Sequence, residues 1–563
     1  MNNVVTNIEI DFKFNPYIII SALILGFILY FRIVAGIDLT DEMQYYGQIK
    51  GLIETGQLFS NDLFIQQTVY LLSYPLFQLH HYFFAYSGFV FFGRLLLATI
   101  IFCLFVYSYK KLQRLNFSTI TASLVALALT FSIPLYNIFA LSYNTISQAI
   151  WVVFAIWFLE WKTQRSTSWV ILWFLMGLAH PSSAIALAAL VILRLLVEHR
   201  VRDAFKLSLL SVCGLLVLAP ILVCFSTPEL YLESLKFSSG FGAGANFFNS
   251  RTSIVLMVLI YFMFAFSLTI FKLLPKHTIP IITCAGLSLT LVYFAIFDQG
   301  WHSYALQIIV LSTLCALSSA WAVCFSNPND KKLHGQIKWL TFSTVVVMTT
   351  LVITSSNGIS QGRAPLMIFL PLLIGAAISN SAWDNSKFSS IFTGNINLVF
   401  LTLVYIVFWN NFPYRDSAWW QQNQPIETVQ EFRFIKTTPE KLEFITKSQE
   451  AFKQLDVEKP TLIASYYPGL YFILNSKIDT CMLYMHSLTS AASEQALLAC
   501  LNKKNPSVVI DLLPVEGGEH LALLKRAIAG HYRAAGLSCT GSRLELSPRT
   551  VFTPQILPYT LCL

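Results

Sequence analysis

The stretch G-I-D-L-T-D-E-M-Q-Y-Y, from Gly36 to Tyr46, directly follows the first long apolar run of the chain, Tyr17 to Ala35. Three acids, Asp38, Asp41 and Glu42, lie there within five positions, in a chain of which only 12% of the residues are charged. Carboxylates are costly to place beside hydrocarbon, so acids at a membrane boundary are capped, paired or functional. We interpret this stretch as an acidic, non-cytoplasmic loop that caps a membrane cavity and supplies a catalytic carboxylate.

The residues after the three acids predict a short helix. Apolar and aromatic side chains recur there at helical spacing, at Tyr45, Ile49, Leu52 and Ile53. This pattern predicts an amphipathic helix that lies along the membrane surface. A structural role for the acids is the alternative, with Thr40 as the N-cap and Asp41 and Glu42 in the first turn, where negative charge complements the helix dipole. The two interpretations are compatible.

The composition indicates a polytopic membrane protein that is mostly α-helical. The chain has 563 residues, of which 55% are hydrophobic. A soluble globular chain carries about 25% charged residues, roughly twice the share found here. The formal net charge of +8 does not indicate nucleic-acid binding, because excess Lys and Arg in a membrane protein mark cytoplasmic loops.

Apolar runs of the length that a bilayer requires, about 20 residues each, predict about thirteen transmembrane helices. They lie near 17–36, 86–108, 118–139, 144–161, 167–179, 182–198, 206–225, 252–271, 278–297, 304–325, 338–354, 365–380 and 391–411. Lys and Arg are concentrated in alternate loops, which predicts a cytoplasmic N-terminus and an external position for everything after Asn411. We therefore expect a transmembrane domain over 1–411, with a first outside loop at 37–85, and an extracytoplasmic domain over 412–563. A bacterial inner or plasma membrane is the expected location.

The region after Asn411 has the alternating pattern of a small α/β domain. T-L-I-A-S-Y-Y and P-S-V-V-I-D-L-L read as strands, S-E-Q-A-L-L-A-C-L-N-K-K and E-H-L-A-L-L-K-R-A-I-A as helices, and R-L-E-L-S as a final strand. No glycine-rich phosphate loop follows a strand, so we expect no nucleotide site. At least one disulfide is expected among four cysteines whose connectivity stays open: Cys481, Cys500, Cys539 and Cys562.

Together these features resemble the GT-C superfamily of membrane glycosyltransferases, and most of all the branch of protein O-mannosyltransferases and aminoarabinose transferases. The resemblance rests on Asp41-Glu42 followed by Tyr45-Tyr46, on the long first outside loop, and on the helix pair broken at M-G-L-A-H-P-S-S-A. It also rests on the terminal α/β domain, in which Y-Y-P-G-L-Y-F-I-L-N follows the first strand. The likeness covers the whole chain in layout, but the motif is short and specifies the superfamily better than the family.

The resemblance implies a sugar donor carried on a polyprenyl phosphate or diphosphate. In the family an acid of the first outside loop acts as the base or helps to hold a metal, and this position corresponds to Asp41, with Glu42 beside it. A divalent metal ion is therefore the candidate cofactor. Many members have a further acid in the second outside loop. Here Y-N-I-F-A-L-S-Y-N-T-I-S has none and carries Tyr143 and Asn144 instead, which weakens the case for a metal site with two carboxylates.

The chemistry of glycosyl transfer selects further residues. A hydroxyl that attacks an anomeric carbon needs a base, and the departing phosphate oxygens need positive charge nearby. Arg363 is the first candidate, because the guanidinium group binds phosphate as a bidentate fork and outside basic residues are few. Arg251 and Lys236 come next. Each of these cations has an alternative role as an interfacial residue whose charged end extends to the membrane surface.

The remaining candidates lie at the outside ends of predicted helices. Those for substrate contact are Tyr45, Tyr143, Asn144, His180, His302 and Asp298. A histidine at such a position is more often a hydrogen-bonded interfacial residue than a ligand. Asp298, the only acid of the F-D-Q-G-W-H loop, is also a candidate for a second catalytic or metal-linked carboxylate.

The expected function is an integral-membrane glycosyltransferase that moves a sugar from a lipid phosphate to an acceptor outside the cytoplasm. Its expected partners are the polyprenyl-phosphate-linked sugar, a glycan, lipid or protein acceptor, and membrane lipids, but no nucleic acid. A transporter or flippase of lipid-linked saccharides is one rival, although the sequence shows no internal repeat with broken helices in matched positions. A non-catalytic scaffold that kept the GT-C fold is the other rival.

Overall fold

The structure is a computed structural model, and the chain it describes is mostly helical with a small mixed sheet near the C-terminus. The described residues are 15–134, 138–161, 166–239, 251–270, 278–296, 304–324, 331–354, 362–380, 387–409, 416–453, 461–478, 480–485, 488, 491–513, 519–535, 538–545 and 556–562.

Sixteen α-helices precede residue 410 in this part of the chain. They are α1 (Pro16–Val34), α2 (Asp41–Thr55), α3 (Tyr74–Phe84), α4 (Phe89–Arg114), α5 (Thr119–Phe131), α6 (Tyr143–Leu159), α7 (Ser166–Ala179), α8 (Pro181–Val197), α9 (Val201–Phe225), α10 (Pro228–Ser239), α11 (Arg251–Ile270), α12 (Thr278–Ile296), α13 (Tyr304–Cys324), α14 (Lys331–Thr354), α15 (Arg363–Asn380) and α16 (Lys387–Trp409). A helix is present at each of the thirteen positions where the sequence predicts a span. Within the described residues, three helices are long and apolar enough to cross a membrane, Pro16–Val34, Phe89–Arg114 and Gly335–Ile353. Several shorter apolar helices accompany them.

The predicted span at 118–139 is wrong in its extent. Helix α5 ends at Phe131, and its residues from Val125 to Phe131 are all buried. The described residues that follow, 132–134 and 138–142, are non-helical and buried as well. Irregular backbone at membrane depth is tolerated where protein covers it, and this segment leads directly into the start of α6.

Helix α2 lies in the segment 37–85, which the sequence predicts to be the first outside loop, together with a 3₁₀ helix at Ile65–Leu72 and helix α3. Gly56, at φ 68°, ends α2 by donating its N–H to the carbonyl of Leu52. The prediction of an amphipathic helix with an exposed polar face is wrong, because every residue from Glu42 to Leu52 is buried. Its place along a membrane surface stays a prediction. Tyr46 is seated against Gly93 of α4, where an added Cβ would lie 2.4 Å from the Tyr46 ring. Other parts of the protein therefore cover all sides of α2, where the sequence predicted an exposed polar face.

The C-terminal region is built from helices α17 (Pro439–Ala451), α18 (Leu470–Ile473), α19 (Ala491–Lys504) and α20 (Glu519–Ala535) and two sheets. Strands β1 (Gln424–Pro425) and β2 (Lys436–Thr437) pair antiparallel. The second sheet has the order β3-β4-β6-β5, from β3 (Thr461–Ala464), β4 (Val508–Asp511), β5 (Cys539–Glu545) and β6 (Ile556–Cys562). Its β3–β4 pair is parallel and its other two pairs are antiparallel. The predicted strands and helices of this region are confirmed, and β6 is an additional strand.

The C-terminal region packs tightly onto the first outside loop. One hydrophobic core cluster runs from the membrane helices through α2 to side chains such as Phe444 and Phe472. Lys50 of α2 forms a buried ion pair with Glu431, with 2.8 Å between Nζ and Oε1. Gly469 donates its N–H to the carbonyl of Leu39 at a contact that leaves no room for a side chain. The loop and the C-terminal region therefore lie at the same end of the helical bundle.

A disulfide joins Cys481 to Cys500 of α19, with 6.0 Å between the Cα atoms. Cys539 is also disulfide-bonded, and the β5–β6 register places it opposite Cys562. The prediction of at least one disulfide among these cysteines is confirmed. Disulfides persist in oxidising compartments, which agrees with an extracytoplasmic position for this region.

Candidate active site

Two of the three acids in the opening stretch hold the start of α2. Asp38 accepts hydrogen bonds from the backbone N–H of Thr40 at 3.0 Å and of Glu42 at 2.9 Å. The Glu42 carboxylate in turn accepts the N–H of Asp38 at 3.1 Å, which completes a reciprocal cap. Thr40 is at the N-cap position, but its hydroxyl donates to Asp38 and does not cap the helix. Asp38 therefore performs the capping that the sequence assigned to Thr40.

Glu42 is also the partner of a buried arginine on α4. Arg94 donates to it through Nε and Nη2, each at 2.7 Å, in a bidentate pair. Both side chains are 3% exposed. Arg94 Nη2 also donates to the carbonyl of Gly36 at 2.8 Å, so the same guanidinium fixes the segment before α2. Since a bidentate pair of this kind occupies the carboxylate on both oxygens, Glu42 anchors the start of α2 to the long apolar helix α4.

Asp41 is the acid that remains available. It is the first residue of α2 and is partly exposed, whereas Asp38 and Glu42 are buried. Its carboxylate makes no hydrogen bond or ion pair with any residue that the structure describes. The N-terminus of a helix favours negative charge, so the position of Asp41 suits an acidic side chain.

The C-terminal region clamps the backbone just before these acids. Gly36, at φ 78°, donates its N–H to the carbonyl of Lys436 at 2.8 Å. The N–H of Ile37 donates to Asp416 at 3.1 Å. Lys441 completes the clamp by pairing with Asp416 at 2.7 Å and donating to the carbonyl of Ile37 at 2.6 Å. The backbone that carries the three acids is therefore fixed from two sides.

Four of the predicted substrate-contact residues form one group. The rings of Tyr45 and Tyr143 meet edge to face, with 6.1 Å between their centroids. The Asn144 amide donates to the Tyr45 hydroxyl at 3.4 Å. Tyr143 stacks on His180, also at 6.1 Å. The start of α6 holds Tyr143 and Asn144, and it is fixed by a capping box between Ser142 and Thr145.

His180 lies in the turn between α7 and α8, where the sequence predicts a broken helix pair. The N–H of Ser183 donates to its Nδ1 at 3.3 Å, and this capping bond assigns the proton of the neutral ring to Nε2. Burial lowers the pKa of His180 to about 4. The imidazole is therefore uncharged at neutral pH, and its Nε2–H is a possible hydrogen-bond donor.

Arg363 is the first residue of α15 and is only 1% exposed. The next residue, Ala364, accepts a hydrogen bond at 2.8 Å from Gln148 of α6. Gln148 lies one helical turn after Asn144, so the start of α15 is attached to the helix that carries the aromatic group. A cation that extends to a membrane surface would be exposed, and Arg363 is not.

The remaining predicted site residues are not brought into this group. Lys236 is exposed on α10. Arg251 begins α11, and the position of its side chain is outside the described part of the structure. Asp298 and His302 also lie outside the described residues. Their assignments stay predictions.

Asp62 is a buried acid of the first outside loop that the sequence analysis did not select. Its carboxylate accepts from the side-chain amides of Gln48 at 2.7 Å and Gln44 at 3.3 Å, and from the N–H of Phe64. Burial raises the pKa of Asp62 to about 6, against the opposing effect of these hydrogen bonds and of one from the Leu483 backbone. An acid within the polar F-S-N-D-L-F stretch gives no local sign of burial, because the covering residues come from the C-terminal region.

The described residues do not by themselves make a metal site. No group of three or more His, Cys, Asp or Glu side chains comes together among them. Asp38 and Glu42 are occupied by the helix start and by Arg94. A cation near α2 would therefore find one available carboxylate, that of Asp41. Comparisons with protein-family models, with curated proteins and with solved structures find no match to this chain.

Proposed function

We propose that the protein is an integral-membrane glycosyltransferase that moves a sugar from a polyprenyl-phosphate or diphosphate donor to an acceptor outside the cytoplasm. The observation that carries this proposal is the division of roles among three neighbouring acids. Asp38 and Glu42 build and anchor the start of α2, and Asp41 is left with its carboxylate available at a rigid helix N-terminus. Asp41 is the general base that takes the proton of the incoming acceptor hydroxyl.

Arg363 is the proposed partner of the donor phosphate. Its burial at the start of α15, close to the aromatic group on α6, supports a role inside the protein. A guanidinium group can stabilise the negative charge that develops on the departing phosphate oxygens. Lys236 and Arg251 are secondary candidates for the same task.

The proposed topology has a cytoplasmic N-terminus and thirteen spans, and its C-terminal domain lies outside. An odd number of spans puts the first outside loop and the C-terminal region on the same side. Their contacts through Lys50, Glu431 and Gly469 support that arrangement, and the Cys481–Cys500 disulfide supports the external side. The clamp on Gly36 and Ile37 gives the C-terminal domain a role in positioning the acidic loop.

The test is sugar transfer by the purified full chain in liposomes. The donors are radiolabelled undecaprenyl-phosphate hexoses, and the acceptor pool is membrane material from a strain that lacks the gene. Asp41→Asn keeps the size of the side chain and removes the basic oxygen, so we expect a loss of about 10²–10⁴-fold in rate with donor binding retained. Asp203→Asn is the matched control, because Asp203 also lies in the first turn of a helix, α9, and pairs with Arg200.

The outcomes separate the proposal from its rivals. Inactive Asp41→Asn beside active Asp203→Asn supports a catalytic carboxylate. A flippase would move lipid-linked sugar across the bilayer in both variants without forming a glycosylated product. A scaffold would form no product even in the unmodified chain. Normal transfer by Asp41→Asn would refute the proposed base.

A further inference from the structure

One face of α2 carries several polar side chains. Asp41, Gln44, Tyr45 and Gln48 follow at i, i+3, i+4 and i+7, so they share this face. Apart from Asp41 they are buried, at 5–8% exposure. A buried polar face needs hydrogen-bond partners, either from the protein or from a ligand.

Asp62 sets the orientation of both glutamines. A carboxylate accepts and does not donate, so Gln44 and Gln48 must direct their NH₂ groups toward it. Their amide oxygens are consequently turned away from Asp62. Neither oxygen makes a hydrogen bond within the part of the chain that the structure describes. The pair therefore presents two fixed acceptors, of the kind that recognise hydroxyl groups.

Residues that lie near this face of α2 also carry polar atoms without hydrogen-bond partners among the described residues. The Tyr70 hydroxyl and the Asn144 amide oxygen are buried and without a hydrogen-bond partner among the described residues. Tyr70 interacts electrostatically with Asp62 and Tyr143, so it lies close to both residues. His180 adds an Nε2–H donor without a hydrogen bond to any described residue. Hydroxyls, an amide and an imidazole together match the alternating donors and acceptors of a sugar.

The charges of these residues restrict the sugar further. Asp41 and Asp62 are acidic, and His180 is uncharged at neutral pH. Lys50 of α2 and Arg94 of α4 are paired with Glu431 and Glu42, and Arg363 is assigned to the donor phosphate. A carboxylate on the sugar would therefore face the like charges of Asp41 and Asp62.

We infer that the face of α2 formed by Gln44, Tyr45 and Gln48, with Tyr70, Asn144 and His180 opposite it, binds the transferred sugar through its hydroxyl groups. This set of residues accepts a neutral or amino sugar and discriminates against a uronic acid. Asp62 is a positioning residue that holds the two glutamines as acceptors. This inference rests on the proposed function, since it assigns the donor's sugar to a place beside Asp41.

Equilibrium competition tests the inference on the full chain in nanodiscs. Radiolabelled undecaprenyl phosphate is displaced by the bare lipid or by its conjugates with mannose, glucose, galactose, an aminopentose and glucuronic acid. We expect at least one neutral or amino sugar to bind about tenfold or more tightly than the bare lipid, and the glucuronate no more tightly than the bare lipid. Gln48→Leu and Asp62→Asn should abolish the preference and leave bare-lipid affinity unchanged.

Gln78→Leu is the matched control, because Gln78 lies in the same loop on α3 and bonds only to Tyr74 within the described residues. It should keep the sugar preference. The inference is overturned if the unmodified chain prefers no sugar over bare lipid, if glucuronate is preferred, or if both variants keep the preference. Binding of none of these lipids, bare phosphate included, would instead overturn the proposed donor itself. Thermal unfolding checks that each variant is folded. If Gln48→Leu or Asp62→Asn is not folded, Gln44→Leu is used in its place.

Discussion

At the scale of single residues, Asp62 shows how a buried carboxyl group is held among neutral donors. Its hydrogen bonds come from Gln44, Gln48 and two backbone N–H groups, and no cation pairs with it among the described residues. Tyr70 is the other titratable group that faces it, and burial raises the pKa of that hydroxyl well above its ordinary value. The charge on Asp62 is therefore stabilised by oriented dipoles alone.

The raised pKa of Asp62 predicts how stability depends on pH. The native protein keeps the proton of Asp62 up to about pH 6, whereas the unfolded chain releases it near pH 4. The contribution of Asp62 to stability is therefore greatest below pH 4, decreases as the pH rises to about 6, and is constant above. A shift of this size corresponds to about 3 kcal/mol at most. Thermal unfolding at pH 5 and pH 7.5 should show a smaller difference for Asp62→Asn than for the unmodified chain. Equal differences would mean that Asp62 does not titrate in this range.

Whether a residue's role could be predicted depends on how far apart in the sequence its contacts lie. That Asp41 lies at the start of a helix was predictable, because a helix start after an apolar run is a local pattern. The pairing of Glu42 with Arg94 was not, since α4 lies about fifty positions further along the chain. Asp62 was missed for the same reason, as the Leu483 backbone that binds it comes from the C-terminal region.

At the scale of elements, α2 is attached to α4 by one buried ion pair. Removing one member of such a pair leaves an uncompensated buried charge, at a cost of about 3–5 kcal/mol. Loss of an exposed helix-dipole contact costs about 0.3–1 kcal/mol. Glu42→Gln should therefore lower the thermal unfolding temperature far more than Asp41→Asn does. Similar unfolding temperatures for the two variants would show that Arg94 finds another partner.

Helices and strands were predictable from the sequence where the length of an apolar run indicated them. Long apolar runs marked all thirteen helix positions, because an apolar run of bilayer length is typical of a membrane-spanning helix. Strand β6 was missed because Pro558 argues against a strand. In the sheet, β4 pairs only with the last three residues of β6, Thr560 to Cys562, so Pro558 lies beyond the reach of β4. The burial of α2 could not be read from its own sequence, because two distant regions cover it.

At the scale of the whole molecule, the orientation in the membrane can be measured directly. Glu450 is exposed on α17, and Arg202 is exposed at the start of α9, on the opposite side in the proposed topology. A membrane-impermeant maleimide added to intact cells should label Glu450→Cys and should label Arg202→Cys only after permeabilisation. The opposite pattern would reverse the orientation and move the acidic loop to the cytoplasm.

The clamp on Gly36 and Ile37 has a consequence for the order of events during synthesis. The acidic loop is translated early, but Lys436 and Lys441, which fix its backbone, are made some four hundred residues later. The loop therefore remains incompletely held until the chain has been synthesised as far as Lys441 and has folded against it. Under the proposed function, a chain interrupted before Lys436 has its acids without the backbone contacts that position them, so sugar transfer requires the C-terminal region.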